Sequence, residues 1–377
     1  MDKIEQFDDM RPYRDEEIPS AMNRIADNPY FHPMMSWLYT GETLQEKIGE
    51  IRGIRTVREF QMKIMDSAVK TILRKTAAGF SCHGLEQLDP TRSYLFISNH
   101  RDIVLDSALL QIALVAQGLD TTEITFGSNL MQGEIVVDIG KSNKMFKVVR
   151  GGQPREFYRH SIHLSRYIRY VLEEKRESVW IAQRGGRTKD GCDLTDPGVL
   201  KMFALSGGKD YVESTARLNI VPVAVSYQYE PCDYLKAREL YLSQNKKYIK
   251  APGEDFGSIL SGITEPKGHI HLEVTPPLAY EEFVKVKQLE RNEFFNEIAR
   301  LIDHRIYKGY KLWDTNYIAY DMLFHTFEYT SQYCPETYQA FASRMHERLK
   351  CFGEGDRNLM NIFLKIYANP IRNQRGF

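Results

Sequence analysis

Between residues 94 and 274, six short apolar runs alternate with stretches of helical length, and few folds accept that rhythm. The runs are YLFIS (94–98), EITFG (123–127), FKVV (146–149), SVWIA (178–182), NIVPVAVSY (219–227) and HIHLEV (269–274). Most are continuous rather than alternating in polarity, which is how strands buried on both faces read. Between two of them, Leu164, Tyr167, Ile168, Val171 and Leu172 recur at i, i+3, i+4, i+7 and i+8, the stripe of an amphipathic helix. Strands alternating with such helices predict an α/β core with a mostly parallel central sheet flanked by helices.

The flanks read differently. In TVREFQMKIMDSAVKTILRKT, Val57, Phe60, Ile64, Ala68 and Ile72 fall at helical spacing. After EVTPPLAYEEF the chain is again helical and aromatic, as in NYIAYDMLFHTFEY. This divides the 377 residues into a helical N-terminal region (1–80), an α/β core (81–280) and a helical C-terminal extension (281–377) that packs on the core. Lys plus Arg and Asp plus Glu number 50 each, so no global field draws in nucleic acid, and an anionic partner must meet a local cluster. Five scattered cysteines without a CxxC pair argue against a disulfide framework or zinc knuckle and fit a reducing cytoplasm. The acidic N-terminus does not read as a secretory signal. No apolar run reaches the ~20 residues of a membrane span, so membrane contact would be peripheral. The segment YFHPMMSWLY (30–39) reads as core or as a surface that docks on a membrane.

Function in open α/β sheets collects beyond the carboxyl ends of the strands. There the run YLFIS leads into Asn99, His100, Arg101 and Asp102, and an apolar helical pattern follows that carries Asp106. Asp102 suits the N-cap of that helix. A histidine with a carboxylate a few residues on has what a general base needs: an imidazole that titrates near neutrality and an acid that fixes its tautomer.

Four ordered blocks resemble those of the glycerolipid acyltransferase superfamily, the lysophosphatidic acid and glycerol-3-phosphate acyltransferases. NHRDIVLD corresponds to the family's Asn-His, four residues, Asp. MFKVVRGG, preceded by GSNLM (127–131), supplies Arg150. SVWIAQRGGRTKDG supplies Gly185, Gly186, Arg187 and Thr188, where the family has Glu-Gly-(Thr or Gly)-Arg-Ser. The strand with Val-Pro is IVPVAVSY around Pro222. Two departures stand out. Five residues rather than four separate His100 from Asp106, so the familial aspartate is Asp106, which we favour, or Asp102. The third block has Arg184, or Gly185 in a shifted register, in place of the family's glutamate.

The resemblance implies an O-acyltransferase of phospholipid biosynthesis, cytoplasmic or peripheral on the inner face of the cell membrane. It would move an acyl group from acyl-CoA or acyl carrier protein to a hydroxyl of a lysophospholipid or glycerol phosphate, with no metal and no cofactor beyond the thioester co-substrate. His100 and Asp106 would be catalytic; Asn99, Arg101, Arg150, Gly185, Gly186, Arg187 and Thr188 would bind substrate. A non-catalytic lipid-binding protein of the same fold is the alternative that the lost glutamate raises. The GHIH at 268–271, taken with SNHRD, is similar to half of a metallophosphoesterase site. The Asp-x-His and Gly-Asp that such a site needs do not precede Asn99. His269 and His271 read instead as alternating onto one face of a strand that also carries Leu272 and Val274.

Overall fold

A computed structural model of the chain describes residues 5–131, 133–149, 151–246, 248–353 and 355–376. Seven strands form one sheet in the order β1-β7-β6-β2-β5-β3-β4. They are β1 (Ala77–His83), β2 (Leu95–Ser98), β3 (Glu123–Gly127), β4 (Met145–Val148), β5 (Val179–Ala182), β6 (Ile220–Tyr227) and β7 (Gly268–Val274). All neighbours pair in parallel except β6 and β7. The expected mostly parallel sheet flanked by helices is therefore the observed one.

Alternation along the strands sends side chains into two cores. Leu95, Ile97, Val179, Ile181 and Ala224 pack under Leu164 and Ile168 of the helix Pro154–Arg169 and under Phe294, Ile298 and Ile302 of Arg291–Gly309. On the other face Phe96, Trp180, Val223, Val225, Ile270 and Leu272 meet Leu105 and Leu109 of Leu105–Ala116 and Ile72 of Asp66–Thr76. Each such aliphatic side chain, fully buried, contributes about 1.5–3 kcal/mol. Pro222 lies inside β6 without an N–H to give, at the level where β7 has ended. Its carbonyl accepts from the Thr275 N–H (3.0 Å) and hydroxyl (2.8 Å).

The described elements before β1 are helical, and the boundary expected at 80 falls inside this strand. Ala-Ala-Gly-Phe gave no strand signal because edge pairing with β7, 190 residues away in the chain, makes it one. In YFHPMMSWLY, Phe31, Met35 and Tyr39 are buried with Ile18, Ile25 and Phe60, while Tyr30 and Met34 are exposed. From Tyr280 onward the elements are helices, and Ile318, Phe341, Phe363 and Tyr367 gather in a cluster of their own. Among the described residues no helix is long and apolar enough to cross a membrane.

Candidate active site

The fully buried β2 releases the chain at Ser98, and the next eight residues turn back on themselves. Asp102 Oδ1 accepts from the N–H groups of Val104 (2.9 Å) and Leu105 (2.8 Å), which caps the helix Leu105–Ala116. That turn brings Asp106, on the first helical turn, under the loop. Its Oδ2 receives His100 Nδ1 (2.9 Å) and the N–H groups of Arg101 (2.6 Å) and Asp102 (2.9 Å), and its Oδ1 receives the Tyr227 hydroxyl (2.8 Å). The extra residue in this block is thus absorbed in the loop, and Asp106 rather than Asp102 faces the imidazole. A carboxylate 1% exposed is tolerable here because four donors and a helix N-terminus surround it. Burial first, and the Asp106 charge next, push the Tyr227 hydroxyl far above its ordinary pKa, so it remains a donor. The His100 ring stands edge-on to Trp180 at 5.9 Å, and its Nε2 has no hydrogen bond among the described residues.

The third block follows β5 and lies against the first. The Thr188 N–H donates to the His100 carbonyl at 2.7 Å. Gly186 takes φ +86°, which a residue with a Cβ rarely adopts, and the space beside it is open. The N–H groups of Gly185, Gly186 and Arg187 donate to no described residue. In this block the Thr188 hydroxyl and Arg187 Nη1 are buried without partners among the described residues. Leaving each of them so costs about 1–3 kcal/mol, and adjacent donors of this kind are what a polar ligand would satisfy. Arg184 makes no ion pair among the described residues. Lys189, by contrast, is paired with Glu239.

Two expectations need correction. Asn99 does not face substrate: fully buried, it takes the Val225 N–H on Oδ1 (2.8 Å) and gives Nδ2 to the Val225 carbonyl (3.0 Å) and Asp193 (3.2 Å). Arg101 is likewise fully buried, held by Asp193 (2.5 Å), Glu230 (3.2 Å) and the Tyr310 ring, while Lys236 joins Glu230 (2.6 Å) to the Arg101 carbonyl (2.7 Å). These two side chains brace the loop that carries His100 from within. The expected phosphate ligand Arg150 lies outside the described residues.

At the carboxyl ends of β3, β4 and β5 opens a cavity of about 960 Å³, and the third block supplies Arg184 and Gly185 to it. Val148, Leu164, Ile181, Val199 and Met202 make it largely apolar, and Lys147, Lys201 and Arg291 join Arg184 around it. The GHIH histidines are elsewhere: His269 stacks on Trp313 and His271 bonds Ser81, both on the sheet face opposite Ile270 and Leu272. Sequence reasoning missed Tyr227, Trp180 and the Asp193–Glu230–Lys236 cluster. Only Tyr227 left a trace, as a polar-tipped residue ending an apolar strand.

Residues 79–226 match the acyltransferase family model. That match agrees with the resemblance to the glycerolipid acyltransferase superfamily carried by the four blocks. Among solved structures the chain is similar to the 1-acyl-sn-glycerophosphate (LPA) acyltransferase PlsC from Thermotoga maritima, at 14% identity and a TM-score of 0.35, over 76% of this chain and 93% of that one. No curated protein sequence matches.

Proposed function

We propose that the protein transfers a fatty acyl group from acyl-CoA or acyl carrier protein to a hydroxyl of a glycerol-phosphate-type lipid precursor. The observation that carries this reading is the His100–Asp106 pair, with Nδ1 fixed by a buried, four-coordinate carboxylate and Nε2 without a partner among the described residues. Nε2 takes the proton from the acceptor hydroxyl as its oxygen attacks the thioester carbonyl, and Asp106 stabilises the imidazolium. When the tetrahedral intermediate collapses, the C–S bond breaks and the thiolate leaves with the proton from Nε2. No acyl-enzyme is required, because the thioester is already activated.

The unpaired N–H groups of Gly185 and Gly186 are the donors for the oxyanion. Arg187 and the Thr188 hydroxyl bind the acceptor's phosphate, in the place where buried polar atoms lack partners. The apolar cavity beside Arg184 takes an acyl chain, and its cationic residues take the anionic group attached to it. Wild-type protein is to be incubated with long-chain acyl-CoA and either lysophosphatidic acid or glycerol 3-phosphate, following free thiol and acylated product together. Equal, acceptor-dependent formation of both supports the proposal. Lipid binding without thiol release favours the non-catalytic alternative that the lost third-block glutamate raises.

A further inference from the structure

On the sheet face away from His100, the parallel pairing of β1 with β7 sets Ser81 beside His271 and His83 beside Glu273, four side chains in a square. One ligand atom from each of His83, His271 and Glu273 falls within 4.8 Å of the other two. Glu273 Oε2 lies 3.1 Å from His271 Nε2 and 3.8 Å from His83 Nδ1. These separations bracket the roughly 3.3 Å between ligand atoms around a tetrahedral zinc ion.

From this arrangement we infer that His83, His271 and Glu273 bind a divalent transition ion, zinc by their ligand chemistry, independently of acyl transfer.

Three features go beyond proximity. His271 is buried, and its Nδ1 is bonded to the Ser81 hydroxyl at 2.8 Å, which orients the ring and leaves Nε2 toward the carboxylate, as a supporting partner of a metal-bound histidine does. Gly309 passes over Glu273 so closely that an added Cβ would stand 3.0 Å from Glu273 Cγ, which confines that carboxylate. His83 is exposed and borders an open cavity of about 540 Å³, so an ion has an entry path. Two imidazoles and one carboxylate suit zinc, not calcium or magnesium, which take oxygen ligands. Lys308 and Lys311 line the same cavity and favour an anion, hydroxide included, in the fourth position.

The test uses untagged full-length protein, stripped with a chelator and titrated with Zn²⁺ by calorimetry and with Co²⁺ by visible absorption. The expected result is one ion per chain with the Co²⁺ bands of a four-coordinate site. Binding should weaken at least about tenfold in His83→Ala and in Glu273→Gln, and by about tenfold in Ser81→Ala. Zinc-free thermal midpoints near that of the wild type establish that these variants are folded, and His346→Ala should bind as the wild type does. The absence of saturable one-to-one binding, or affinity unchanged in both ligand variants, overturns the inference.

Discussion

Asp106→Asn isolates the charge of the proposed His100–Asp106 pair from its geometry. The carboxylate accepts from three donors on Oδ2 and one on Oδ1. An asparagine can place its carbonyl oxygen toward His100, Arg101 and Asp102 and its amide toward Tyr227, whose hydroxyl turns to accept. The histidine tautomer and the loop are then kept, and stability should fall by no more than about 1–2 kcal/mol. What is lost is the negative charge beside the imidazolium. Two unit charges about 4 Å apart are worth about 4 kcal/mol at an effective dielectric near 20, and that is about a thousandfold in rate. The assay is initial-rate thiol release from acyl-CoA at saturating acceptor, with a thermal melt beside it. A folded variant within about threefold of wild type would refute the assignment of Asp106.

Arg187→Ala should raise KM for a phosphorylated acceptor about tenfold or more, as loss of a charge-assisted contact does, and leave the thermal midpoint and the KM for the thioester nearly unchanged; steady-state kinetics with each substrate varied decides it. Arg101→Met should destabilise by about 3–5 kcal/mol in denaturant titration, because it leaves Asp193 buried without its cation. Asp303→Asn gives a pH signature. Burial first, with nearby Asp193 adding, raises the Asp303 carboxyl to about 6, so the folded state holds this proton more tightly than the unfolded chain. Its contribution to stability is complete below about pH 4 and is lost as pH rises through 6. Asparagine still accepts the Thr195 N–H, so the variant should melt a few degrees higher than wild type at pH 7.5 and show no gain at pH 4.

The six strands legible as apolar runs, β2 to β7, lie within a residue of their expected bounds at each end, since continuous burial leaves a strong pattern. β1 was not legible, because Ala77, Ala78 and Gly79 owe their extended form to β7 rather than to their own propensity. The reversal of direction between β6 and β7 left no trace either, as a buried strand reads alike in both orientations. Within the site, His100 and Asp106 were readable because a strand end, a turn and a helix start fix their relation locally. Asn99 and Arg101 were misread for the opposite reason. Polar residues at a strand end look free until Asp193 and Glu230, 92 and 129 residues from Arg101, are folded onto them. The backbone contact of Thr188 with the His100 carbonyl was not legible either, since it joins two segments that only the sheet brings together.

The central claim is that His100 is the base that activates the acceptor, and His100→Ala tests it most directly. The ring contacts Trp180 edge-on and, among the described residues, holds no hydrogen bond apart from that to Asp106, so the variant should remain folded. With acyl-CoA and lysophosphatidic acid or glycerol 3-phosphate, the account predicts that acceptor-dependent thiol release falls by about two to four orders of magnitude while the thermal midpoint stays near that of the wild type. Undiminished release from the folded variant would contradict it.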